Sequence, residues 1–138
     1  MAQQADVVLA VDPGRSKCGL AVVRRTPDGA FEVLHRGVVQ TSGLPAALAD
    51  LAARFAPDVI LVGDGTNSSD AARAAEEIDA APVLTVDEKF TTILARKRYF
   101  KENPPRGLRR LIPTSLQTPP RPCDDYVAVI LAENYLSL

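Results

Sequence analysis

The 138-residue chain has only two cysteines, Cys18 and Cys123, and one histidine, His35. The two cysteines are far apart and form no C-x-x-C pair. That excludes a disulfide-built scaffold and a structural zinc site, and fits a reducing cytoplasm. No metal-ligand spacing surrounds His35, so it reads as a structural residue on a strand. Apolar runs such as Val59–Val62 and Val127–Ala132 fall far short of the roughly 18–20 residues that cross a bilayer, so no membrane partner is expected. The opening residues Met1–Asp6 have neither a basic nor an apolar region, and do not read as a secretory signal. No repeat period is present. The length accommodates one core, and one domain over 1–138 is expected. With 46% hydrophobic and 24% charged residues, wholesale disorder is excluded.

Net charge is nearly absent too, at −1, but the average hides a separation. From Lys89 to Arg121 there are nine basic residues and one acid, Glu102, a net of +8. The rest of the chain carries seven basic and sixteen acidic residues, a net of −9. Such a separation is a cue to a polyanionic ligand at one end of the molecule. Read without that cue, the same residues make a solvated helix face and a basic loop.

The elements follow from local pattern. Val7–Val11 is an apolar, β-branched run ending at Asp12-Pro13-Gly14, and reads as a buried central strand. Cys18–Arg24 and Phe31–Val39 are two more strands, joined at Thr26-Pro27-Asp28-Gly29, with a break expected at Gly37. Leu44, Leu48, Leu51 and Phe55 then recur at helical spacing, predicting a helix over about 45–56. A strand at Val59–Val62, a helix capped by Ser69 and reaching about Ile78, and a strand at Pro82–Val86 follow. A further helix is predicted from Thr91 or Thr92 to about Asn103, stopped by Pro104-Pro105. Residues 104–122 hold six of the eleven prolines and read as a flexible Pro/Arg-rich loop before a last helix over about 124–136. This order predicts an α/β domain. An antiparallel three-stranded meander is extended by two parallel strands into a mixed five-stranded sheet with helices on both faces. The two later strands, apolar throughout, are expected to be covered on both sides.

In such sheets the working residues sit at the carboxyl ends of the strands. Asp12 ends the first strand, Asp64 follows the fourth, Asp87 and Glu88 end the fifth, and Asp124 and Asp125 open the last helix. Each alone is explained as a turn residue or a helix cap. Together, beside a +8 segment, they suggest clustered carboxylates that need a cation between them. Oxygen ligands without His or Cys suit Mg²⁺ or Mn²⁺. Two such ions about 3.5–4 Å apart can activate water against a phosphodiester.

Three segments carry a resemblance. Val11-Asp12-Pro13-Gly14-Arg15-Ser16-Lys17-Cys18-Gly19 resembles the opening motif of the YqgF/RuvX family, the Holliday-junction-resolvase-like proteins. Val86-Asp87-Glu88-Lys89-Phe90-Thr91-Thr92 resembles that family's second motif, and Cys123-Asp124-Asp125-Tyr126-Val127-Ala128-Val129-Ile130-Leu131 its last-helix motif. The resemblance implies an RNase H-like fold and a metal-dependent nuclease acting on structured nucleic acid, linked to maturation of the 5′ end of the small-subunit ribosomal RNA precursor. It also implies a distant likeness to junction resolvases, with branched DNA as the alternative substrate. The chain departs from the family at Gly63-Asp64-Gly65-Thr66-Asn67-Ser68, where a Gly-Leu-Pro segment is usual, and at Lys89, where Arg is usual.

On this reading Asp12 and Glu88 are metal ligands, Asp124 is the motif-matched acid, Asp125 replaces or assists it, and Asp64 is a fourth ligand. Asp87 braces the turn or caps the following helix. Arg15, Lys17 and Lys89 contact phosphates near the scissile bond, and Arg96, Lys97, Arg98, Arg109 and Arg110 hold the backbone further away. Tyr99 and Phe100 either stack on bases or pack in the core. A symmetric junction cut would require a homodimer. Two rival readings stand beside this one. An ATPase of the actin and sugar-kinase fold shares the Asp-x-Gly start but needs far more chain, and a non-catalytic nucleic-acid-binding module would keep the fold without the chemistry.

Overall fold

Strand β1 (Val7–Asp12) lies at the centre of the sheet because its middle residues, Val8–Val11, have no polar side chain to leave in water. The computed structural model describes residues 6–65, 67–87, 101–102 and 124–137, with Asp124 described by its backbone alone. β2 (Lys17–Arg25) pairs antiparallel to β1, and β3 (Phe31–Gln40) antiparallel to β2. β4 (Val59–Gly63) and β5 (Val83–Val86) add parallel strands on the other side of β1. The order β3-β2-β1-β4-β5 is the mixed five-stranded sheet expected from sequence.

Strand alternation divides the core into two layers. Leu9, Val11, Leu20, Val22, Ile60 and Val62 face α1 (Leu44–Phe55) and α2 (Ser68–Glu77). α1 presents Leu44, Leu48 and Leu51 at helical spacing, and α2 buries Ala71 and Ala75 with Ala72 and Ala74 packed beside them, small side chains that suit a close approach to the sheet. Val8, Ala10, Ala21, Val23 and Leu61 face α3 (Asp124–Leu136) on the opposite side. α3 is apolar almost all round and buries Tyr126, Val127, Ala128, Val129, Leu131, Ala132 and Leu136. Helices therefore cover both faces, as predicted. Among the described residues no helix is long and apolar enough to cross a membrane.

Three local expectations are corrected. β3 runs through Gly37, which pairs with Leu20; the irregularity lies at Leu34, an extra residue between the pairs Val22–His35 and Val23–Val33. That bulge re-phases the strand, so Val33 packs on the α3 side while His35 meets Phe55 of α1 with ring centroids 6.3 Å apart. Ser69 lies inside α2, and the cap position belongs to Asn67 in a left-handed backbone conformation (φ 64°). β5 is parallel as expected but not covered on both faces: Leu84 is 43% exposed. It is the outermost strand of the sheet among the described residues. Of the predicted helix ending near Asn103, only 101–102 are described, and these are helical; the 104–122 stretch lies outside the described residues.

Two loops are tied together at the carboxyl end of β1. The Gly14 carbonyl accepts from the Thr41 hydroxyl (2.8 Å) and from the Asn67 side-chain amide (3.0 Å), and the buried Cys18 thiol lies 4.0 Å from it. This explains why the Asn67 side chain makes no cap bond to its own helix. It also explains Gly14: a Cβ there would lie 2.3 Å from the Lys17 backbone carbonyl oxygen. Gly14→Ala is expected to lower the unfolding free energy by about 1–3 kcal/mol in urea titrations, since backbone rather than a flexible side chain must yield.

The His35 pKa is pushed below its ordinary value of 6.5, first by burial and then by the Arg54 charge, with Asp50 opposing. The folded state therefore binds that proton less readily than the unfolded chain, and His35 costs stability as pH falls through and below the ordinary histidine range. An NMR titration is expected to give a His35 midpoint below 6.5, moving up in Arg54→Gln and further down in Asp50→Asn.

Candidate active site

β1 and β4 run parallel with Val11 beside Val62, so Asp12 comes level with Gly63. Gly63 in turn pairs with Val86, and the Asp64 amide donates to the Val86 carbonyl at 2.9 Å. The carboxyl ends of β1, β4 and β5 thus lie side by side. Neighbouring strands are about 4.8 Å apart, so the three ends span roughly 10 Å, a width that carboxylate side chains from either side can close around cations. Asp12 continues the alternation of Val8 and Ala10 and falls on the α3 face, half-buried. Asp64 and Asp87 follow their strands directly and are exposed.

α3 runs antiparallel to β1. Its last turn lies at the amino end of that strand, where the Arg25 guanidinium donates to the Leu136 carbonyl, and Arg25 sits next to Arg24, the partner of Val7. Its first turn therefore faces the end that carries Asp12. Asp124 opens this turn, and the helix dipole favours acidic residues there.

Asp125 is placed differently. It is the only buried charged residue among those described, at 3% exposure. Its Oδ2 lies 3.2 Å from Arg36 Nε, and its Oδ1 accepts from the Tyr126 amide at 3.0 Å. The same guanidinium donates to Glu102 Oε2 at 2.9 Å and stacks over the Tyr126 ring, 4.1 Å from its centroid. Arg36 reaches this position because it pairs with Ala21 on the α3 face, beyond the Leu34 bulge. Removing one member of such a pair costs more than the pair contributes, because the other charge stays buried.

Of the remaining sequence-nominated residues, Arg15 and Lys17 are exposed in and just after the turn that follows Asp12. Glu88, Lys89, Arg96, Lys97, Arg98, Arg109 and Arg110 lie outside the described residues, as does the Asp124 side chain. Among the described residues no three His, Cys, Asp or Glu side chains are grouped to hold a metal ion. A cavity of about 140 Å³ lined by Gly14, Cys18, Thr41, Leu44, Asn67 and Ala71 opens on the α1–α2 side of the sheet, across from the face that carries Asp12. Sequence reasoning missed Arg36, Thr41 and Asn67. An arginine inside a strand is a usable signal, but its face depends on a bulge that no turn residue announces. Thr41 and Asn67 act through a backbone carbonyl, which leaves no pattern in the chain.

No protein-family model and no curated protein matches this chain. Among solved structures it is similar to Thermus thermophilus RuvC, with a TM-score of 0.58 and 21% identity over 95% of this chain and 94% of that one. T. thermophilus RuvC in complex with Holliday junction substrate gives a TM-score of 0.56 at the same identity and coverage. The yeast mitochondrial Holliday junction resolvase Ydc2 gives 0.58 at 12% identity, over 99% of this chain and 80% of that one. These likenesses show the fold: the chain has the RNase H-like architecture of the RuvC-like resolvases.

Proposed function

We propose that this protein is a divalent-metal-dependent nuclease acting on structured nucleic acid. The observation that carries the reading is the meeting of Asp12, the Gly63–Asp64 step and the Val86–Asp87 step at one end of the sheet, faced by the first turn of α3. All the side chains nominated there offer carboxylate oxygens, a donor set that fits Mg²⁺ or Mn²⁺ rather than a softer metal. His35 faces α1, and the Cys18 thiol is buried beside Thr41, so neither is offered as a base or nucleophile. A bound cation supplies charge stabilisation to the phosphate and makes water a competent nucleophile.

The chain's own residues would do the rest. Asp12, on the central strand, and Asp124, at the helix start, would hold the cation from two sides, with Glu88 and Asp64 completing the set. Arg15 and Lys17, in and just after the turn behind Asp12, would hold phosphates next to the scissile one. Lys89, Arg96, Lys97, Arg98, Arg109 and Arg110 would track the more distant backbone. The motif resemblance to the YqgF/RuvX proteins supports a substrate at the 5′ end of the small-subunit ribosomal RNA precursor, in the cytoplasm. A second reading, resolution of branched DNA by a homodimer, is favoured by the likeness to RuvC along nearly the whole of both chains.

Cleavage of labelled precursor RNA and of a four-way DNA junction, each titrated with Mg²⁺ and Mn²⁺, tests the reading and ranks the substrates. Asp12→Asn is expected to lower cleavage by at least about 10²–10³-fold while leaving binding within a few-fold. Undiminished cleavage by Asp12→Asn overturns the assignment. Replacing Arg109 and Arg110 together by Ala is expected to weaken binding and flatten the slope of log affinity against log salt by about 1–2, measured by anisotropy between low and moderate salt.

A further inference from the structure

Arg36 makes contacts that a merely solvated strand residue does not. Its guanidinium meets the buried Asp125 carboxylate at 3.2 Å, Glu102 at 2.9 Å and the face of Tyr126 at 4.1 Å. Asp125 and Tyr126 belong to the first turn of α3, and Glu102 belongs to the chain before the Pro/Arg-rich stretch. One side chain on β3 therefore contacts both a residue just before the 104–122 stretch and the helical turn just after it. The planar fork of arginine suits this task, because it can offer separate N–H groups to two carboxylates while its face lies on a ring.

The consequence bears on Asp124. Asp124 is the preceding residue of the same helical turn, so fixing Asp125 fixes the backbone from which Asp124 extends. With Asp125 committed to Arg36, the two neighbouring acids divide their work. We propose that Arg36 is a positioning residue that, through Asp125, sets the first turn of α3 so that Asp124 serves the divalent cation at the Asp12 end of the sheet. This rests on the nuclease reading above and adds to it a residue that none of the three motifs contains. It assigns Asp125 to anchoring rather than to the metal.

The test compares wild type, Arg36→Ala, Arg36→Lys, Asp125→Asn, Asp12→Asn and the α3 core variant Leu136→Ala. Calorimetric titration with Mn²⁺ gives metal affinity without turnover, and amide hydrogen exchange over residues 125–129 reports the first turn of α3 without metal. Arg36→Ala and Asp125→Asn are expected to weaken Mn²⁺ binding roughly tenfold or more and to speed exchange in that turn. Arg36→Lys, which keeps the charge but loses the fork, is expected to fall in between and covers the case in which Arg36→Ala does not fold. Leu136→Ala, at the other end of the helix, is expected to lower the melting temperature with Mn²⁺ affinity unchanged. Mn²⁺ affinity lost in Asp12→Asn but unaltered in the folded Arg36 and Asp125 variants overturns the positioning role alone. Wild-type protein that binds no Mn²⁺ overturns the nuclease reading, and this role with it.

Discussion

Parallel pairing of β1 with β4 is the interaction on which the candidate site depends. Val8–Val11 and Val59–Val62 are buried on both faces, which is possible only if helices lie on each side of the sheet. Chain direction then decides what collects where. Because β1, β4 and β5 all run the same way, their carboxyl ends meet at the same edge, bringing there Asp12, the last residue of β1, and Asp64 and Asp87, the residues that follow β4 and β5. An antiparallel β4 would have sent Asp64 to the opposite end of β1, the end where the Asp58 carboxylate now accepts from the Asp6 and Val7 amides and ties down the start of that strand. The two ends of the sheet thus use acids for different purposes: one braces backbone, and the other gathers unlike strands.

Gathering carboxylates has an electrostatic cost that the fold meets at several points. The first turn of α3 carries two acids where the helix dipole favours them. One of these, Asp125, is neutralised by Arg36 inside the protein. The chain also carries a strongly basic segment between Lys89 and Arg121. That segment opposes a chain otherwise at −9, a separation of charge along the sequence that suits a polyanionic partner. The loop behind Asp12 is set by a different means. The Gly14 carbonyl collects the Thr41 hydroxyl and the Asn67 amide, so the turn after β1 is locked to the end of β3 and to the loop after β4.

Much of the architecture was legible in the chain because it rests on periodicity. Two-residue alternation and continuous apolar runs located all five strands, and Leu44, Leu48 and Leu51 marked α1. The strand-end acids were legible for the same reason, since chain direction follows once a strand is assigned to a parallel pair. The errors have specific causes. Gly37 looked like a break, yet the sheet accommodates it in register and spends its irregularity at Leu34, where cross-strand packing against Val22 and Val23 is decided. Ser69 looked like a cap, but a long-range bond to Gly14 recruited Asn67 to the helix start.

The sequence by itself determined the mixed sheet, its helical cover, the strand-end placement of Asp12, Asp64 and Asp87, and the separation of charge, because each follows from local pattern and from the direction of the chain. Only the tertiary structure decided that Arg36 faces α3, that it pairs with Asp125 and Glu102, and that Gly14 is held from two distant loops. These contacts join residues far apart in the chain. Each depends on a strand's phase or a helix's rotation, quantities set by the packing of whole elements against one another and carried by no single stretch of residues.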